Sequence, residues 1–132
     1  MPARKYGLDA DRPVHVPTRL PRVVLAYLHV IVRLKRPQFS YNSLAHLHEE
    51  IVRCFLALAP YSPSFLWKTP RAASADDDDL AFRQCNFQLA PALAHALKKA
   101  SDQAGVTRAT FLYTATYHYI EHVATPKALQ LL

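Results

Sequence analysis

The sequence predicts a mainly α fold with a two-stranded antiparallel ribbon, and three observations lead there. Two short segments, 14-VHVPTRL-20 and 83-RQCNFQL-89, alternate apolar with polar residues, the mark of strands with one buried face. Four other segments space their apolar residues as helices do. The order strand, helix, helix occurs twice along the chain, a repeat of pattern rather than of identity.

In the first half, Val14, Val16, Thr18 and Leu20 alternate with His15, Pro17 and Arg19. Pro21 is placed to open a helix carrying Val24, Leu25, Leu28, Ile31 and Val32, which breaks at 36-RPQ-38. Ser40 is the expected N-cap of a second helix with Leu44, Leu47, Ile51, Phe55 and Leu58 on one face, closed by Pro60. In the second half, Gln84, Asn86 and Gln88 share one side of the strand, and Cys85, Phe87 and Leu89 the other. Pro91 then starts a helix with Leu93, Ala96, Leu97, Ala100 and Ala104. Gly105 stops it, because glycine accepts the left-handed conformation of a helix end. Thr107 caps a last helix over 108–123 with Phe111, Leu112, Ala115, Tyr119 and Val123 inward, ended by Pro126.

Aligning Leu20 with Leu89 and Ser40 with Thr107 requires a slightly longer first helix in the first half. The units are 13–59 and 81–124, joined by a linker over 60–80 and folding as one compact domain. The linker is rich in Pro, Ser and Ala and ends in the acidic run Asp76–Asp79. Phe65, Leu66 and Trp67 are too apolar for a free tether and are expected to anchor its first part.

The second half resembles a ribbon-helix-helix domain, the family of β-ribbon readers that includes Arc and MetJ. The resemblance covers Arg83–Val123 and rests on the polar alternating strand, the proline at the strand–helix junction, the inter-helix glycine and 106-VTRAT-110. The first half matches more loosely, with Pro17 in its strand and Pro37 in its inter-helix turn. In that family two subunits each give one strand to a ribbon that enters the DNA major groove. Two copies in one chain therefore imply an intramolecular pseudo-dimer, a monomer in solution with assembly possible on DNA. Such a tandem arrangement is similar to accessory proteins of conjugative and T-DNA transfer, which act with other DNA-processing proteins.

The chemistry of the residues points the same way. The net charge is +6, and four of the ten acids sit together at Asp76–Asp79, so the rest of the chain is strongly basic. Such a balance suits a polyanionic partner, nucleic acid first and an anionic membrane second; the resemblance narrows it to double-stranded DNA. Gln84, Asn86 and Gln88 are the expected base-contacting residues, since amides pair bidentately with adenine. Arg19, suited to guanine, and His15 would act from the other strand. Phosphate contacts are expected at the helix starts, from Ser40, Tyr41 and Asn42 and from Thr107 and Arg108. Arg4 and Lys5 could form a basic arm.

Other classes fit less well. The string 118-HYIEH-122 matches a zinc-protease pattern, but no later acid completes the site, and no other catalytic constellation can be assembled. Neither an enzyme activity nor a metal or cofactor is expected. Cys54 and Cys85 lie in apolar surroundings and read as core. The longest apolar run, Val23–Val32, contains His29 and is too short to cross a bilayer. No leader with an apolar h-region is visible, so the expectation is a soluble cytoplasmic protein without a membrane partner. The rival from another class is a helical protein–protein interaction module that has lost DNA binding.

Overall fold

The computed structural model describes residues 12–131; Arg4 and Lys5 of the expected basic arm lie outside them. The elements are β1 (Val14–Pro21), α1 (Arg22–Leu34), α2 (Leu44–Leu56), β2 (Phe82–Leu89), α3 (Pro91–Ala104) and α4 (Arg108–His122). β1 and β2 form one two-stranded antiparallel sheet. Its register pairs His15 with Gln88, Pro17 with Asn86 and Arg19 with Gln84. A proline is tolerated there because both strands of such a ribbon are edges.

A two-stranded ribbon is marginal alone, and here its inner face is covered. Val16, Thr18, Leu20, Cys85, Phe87 and Leu89 are all buried. The covering is crossed: α4 packs on β1, α2 packs on β2, and α2 and α4 pack on each other. α1 lies against α2, and α3 against both α2 and α4. The buried stripes are those the spacing predicts, with Leu28 and Ile31 from α1, Leu47, Ile51 and Phe55 from α2, and Phe111, Leu112 and Tyr119 from α4. Leu58 departs from the expected stripe: α2 ends at Leu56 and Leu58 is exposed.

Local signals explain the second half well. Pro91 is the first residue of α3, and Gly105 closes it with φ of 74°. The Thr107 side chain accepts a hydrogen bond from the Thr110 N–H at 3.1 Å. The first half differs in two places. Pro21 ends β1 and precedes α1 rather than lying inside it. The cap of α2 is Ser43, whose side chain accepts from the His46 N–H at 3.2 Å, and not Ser40. The extra length of the first half is also not in its helix, since α1 has 13 residues and α3 has 14. It lies in the connection 35–43, where Lys35 takes a left-handed conformation and Arg36 bridges to Phe39. Phe39 and Tyr41 are buried and Ser40 between them is exposed, so this connection is an extended segment with its own inner face.

Segment 57–81 is a packed strap. Tyr61, Phe65 and Trp67 gather around Phe55 and Phe111 with ring centroids 4.9–5.9 Å apart. Leu66, expected to anchor with them, is 85% exposed. Lys68 then pairs through its backbone N–H and C=O with the Thr114 hydroxyl, at 2.9 and 3.1 Å. At its end the strap caps α1, which has no side-chain cap. Arg22 N–H donates to the Ala81 carbonyl and Val23 N–H to the Asp79 carbonyl, both at 3.0 Å.

The alternation of burial along β2 sets a stability test. Phe87 is fully buried and Asn86 exposed. Phe87→Ala should cost about 3–5 kcal/mol in urea unfolding. Asn86→Ala should stay within about 0.5 kcal/mol of the unmodified protein. The reverse order would mean that the strand presents its other face to the core.

Candidate nucleic-acid interface

The outer face of the ribbon carries His15, Pro17 and Arg19 on β1 and Gln84, Asn86 and Gln88 on β2. All are exposed except Arg19, which is half-buried. The register makes three cross-strand pairs of them, each joining a β2 amide to a β1 residue. Gln84 Nε2 lies 3.5 Å from Asn86 Oδ1, so the amides also meet along the strand. Arg19 is less free than its sequence position suggests. Its Nε donates to the Arg71 carbonyl at 2.6 Å and its Nη2 to that of Pro70 at 3.4 Å, laying the guanidinium along the strap.

The starts of α2 and α4 flank this face. A cavity of about 320 Å³ beside α2 is lined by Pro13, Ala45, His46, Glu49, Gln88 and Ala90 among others. A second of about 410 Å³ beside α4 is lined by Arg19, Thr69, Gly105, Thr107, Ala109 and Thr110 among others. Each cavity thus joins the first turn of a helix to one end residue of the ribbon's outer face. Thr18 fixes the α4 side from beneath, its hydroxyl donating to the Ala109 carbonyl at 2.7 Å. Glu49 fixes the α2 side, with Oε2 accepting from the Ala90 N–H at 2.7 Å and Oε1 from Arg53 at 3.1 Å.

The expected phosphate residues divide. Thr107 and Arg108 are exposed at the start of α4. Asn42 is exposed beside the true cap of α2, and its N–H donates to His46 Nδ1 at 3.2 Å. Ser40 is exposed but lies outside that cap. Tyr41 is corrected outright: it is buried, and its hydroxyl is bonded to that of Tyr119. Burial is the main cause that raises both phenol pKa values. His46 and Glu49, which line the cavity beside Gln88, carried no sequence signal of their own.

His48 supports the ribbon from behind. Its ring stacks on Phe87 at a centroid distance of 4.0 Å and an interplanar angle of 10°. It is 3% exposed, and neither ring nitrogen has a hydrogen-bond partner. Burial first, and His29 second, lower its pKa to about 4. When the first residues of α2 and α4 are matched, His48 falls at the position of Leu112, also buried.

His118 and His122 neighbour each other on α4, with ring centroids 4.7 Å apart. Among the described residues they belong to no group of three or more His, Cys, Asp or Glu side chains able to hold a metal. Burial raises the thiol pKa values of Cys54 and Cys85 to about 11. No helix among the described residues is long and apolar enough to cross a membrane. No family model matches the chain, nor does any curated protein or solved structure.

His48 sets the pH dependence of this support. Its folded pKa lies below the unfolded value of 6.5. Its contribution is therefore intact above pH 6.5 and is lost as pH falls toward 4, by about 3 kcal/mol in all. His48→Leu should flatten that slope and keep or raise stability at pH 7, because unpaired nitrogens are removed from the core. Urea unfolding at pH 7 and pH 5 checks both, and an unchanged slope would remove His48 as its source.

Proposed function

We propose that the chain binds double-stranded DNA sequence-specifically by placing the β1–β2 ribbon in the major groove, as a tandem ribbon-helix-helix protein. The observation that carries this reading is the ribbon's outer face. Six side chains stand there in three cross-strand pairs, and packing leaves all but Arg19 unused. A two-stranded ribbon fits the major groove, and amides suit adenine edges. The helix starts on either side offer unpaired N–H groups toward the flanking phosphates.

The register supports the pseudo-dimer. Matching Leu20 with Leu89 makes Pro17 the equivalent of Asn86, and these two residues pair with each other. An intrachain twofold axis through that pair would exchange the His15–Gln88 pair with the Arg19–Gln84 pair. It would also exchange the two flanking cavities, and α2 on β2 with α4 on β1. The role that follows is that of an accessory factor in plasmid or T-DNA transfer, or of a transcriptional regulator.

A salt titration with duplex DNA tests the reading. Affinity should fall steeply as salt rises, because phosphate contacts release counterions. Flat, weak binding would leave the helical interaction module as the better account. Asn86→Ala should reduce discrimination at the preferred site by about 1–3 kcal/mol.

Because the two strands differ, selection from a random duplex pool should return a non-palindromic site, with A·T steps facing β2. A clean inverted repeat would show that the halves read alike or that two molecules bind together.

A further inference from the structure

Three arginines gather at the Pro21–Phe82 end of the ribbon: Arg19 on β1, Arg83 on β2 and Arg22 at the start of α1. The strap engages each of them. Arg19 donates to the carbonyls of Pro70 and Arg71. Arg83 donates to those of Ser74 and, at 2.6 Å, Asp76. Arg22 pairs with the Asp77 carboxylate at 2.5 Å. The strap is held here by backbone bonds too, with Ser74 N–H donating to the Phe82 carbonyl at 2.9 Å.

Packing does not explain the acids of this segment. Asp76, Asp77, Asp78 and Asp79 are exposed; Asp78 Oδ1 accepts from the Leu80 N–H at 3.1 Å, and the capping of α1 uses strap carbonyls, not carboxylates. A chain of net charge +6 nevertheless has four of its ten acids in the strap that contacts the arginines at one end of its polar ribbon, with Asp77 paired to Arg22. We infer that strap residues 70–79 are a tethered competitor for DNA phosphate, pairing Arg22 with the Asp77 carboxylate and holding Arg19 and Arg83 on strap carbonyls until a duplex displaces these side-chain contacts. This rests on the DNA-binding reading above and adds a regulatory element to it.

The consequence is selectivity. Binding to arbitrary sequence is carried almost entirely by phosphate contacts. A tethered anion competes at high effective concentration. It weakens arbitrary binding most, while a site that also satisfies the ribbon amides keeps its base contacts. The strap backbone stays in place throughout, so α1 remains capped.

The test replaces Asp76, Asp77, Asp78 and Asp79 by Asn in the full chain and uses a random-sequence duplex as probe. The variant should bind about tenfold tighter at roughly 0.1 M salt, with a salt slope steeper by about 0.9 for Arg22, the arginine that loses its carboxylate partner and gains a phosphate. Combination with Arg22→Ala separates release of an arginine from a general change of charge. Arg22→Ala should change affinity less than about twofold in the unmodified protein and should cancel a clear part of the gain in the Asn variant, a coupling that independent charges lack. Equal losses in both backgrounds, or no gain on neutralisation, overturn the inference while leaving DNA binding intact. No binding by either protein overturns the DNA reading itself. Asp77→Asn alone, which removes only the partner of Arg22, supplies the same comparison if the fourfold variant fails to fold.

Discussion

Everything in this fold depends on the pairing of residues 14–21 with residues 82–89. Two strands alone bury too little to persist in water. This pair also joins segments far apart in sequence, so loop-closure entropy opposes it. The pairing survives because its inner face is a complete half of the core. Val16, Leu20, Phe87 and Leu89 are buried against all four helices, directly or through their neighbours. The crossed packing, in which the second helix after one strand covers the other strand, makes neither half separable. α2 lacks its sheet without β2, and α4 lacks its sheet without β1.

The same constraint frees the outer face. Once the core is supplied from one side of the ribbon, the side chains at 15, 17, 84, 86 and 88 have no packing duty and stay exposed. Position 19 is the exception, and the reason lies in connectivity. The chain must travel from the end of α2 back to the start of β2, and its path runs past the Arg19 end of the ribbon. The strap therefore makes the two ends of the ribbon unlike. One end meets a cavity with His46 and Glu49, the other a guanidinium already bonded to backbone carbonyls.

Most of the architecture was legible in the sequence because period-2 and period-3.6 patterns report burial directly. Both strands, all four helices and the inner residues of β2 follow from them. Gly105 and Thr107 were legible because each performs one local task that few residues perform as well. The connection 35–43 was not. Two serines compete as caps there, and the choice between them depends on whether Phe39 and Tyr41 are buried, which is a tertiary matter. The fate of Tyr41 was hidden for the same reason, since its partner Tyr119 is remote in sequence. The outward set of β2 was readable as a face, but the tethering of Arg19 was not, because backbone carbonyls carry no sequence signature.

If the two halves are two joined units, as proposed, each position is also freer in what it can be. In a dimer of identical chains, every residue must serve on both sides of the axis. Under the proposed intrachain axis that demand is lifted, and the halves differ inside as well as outside. His48 stands where the other half has Leu112, stacked on the Phe87 that backs the ribbon's outer face. Glu49 stands where the other half has Tyr113; the first bonds the start of α3, and the second packs against Phe82. Both differences fall under the ribbon or at its flanks. A core that needed only to be filled would tolerate Leu at both buried positions. An unpartnered imidazole at one of them marks a half whose interior is less optimised, and it lies under the ribbon end remote from the acidic strap.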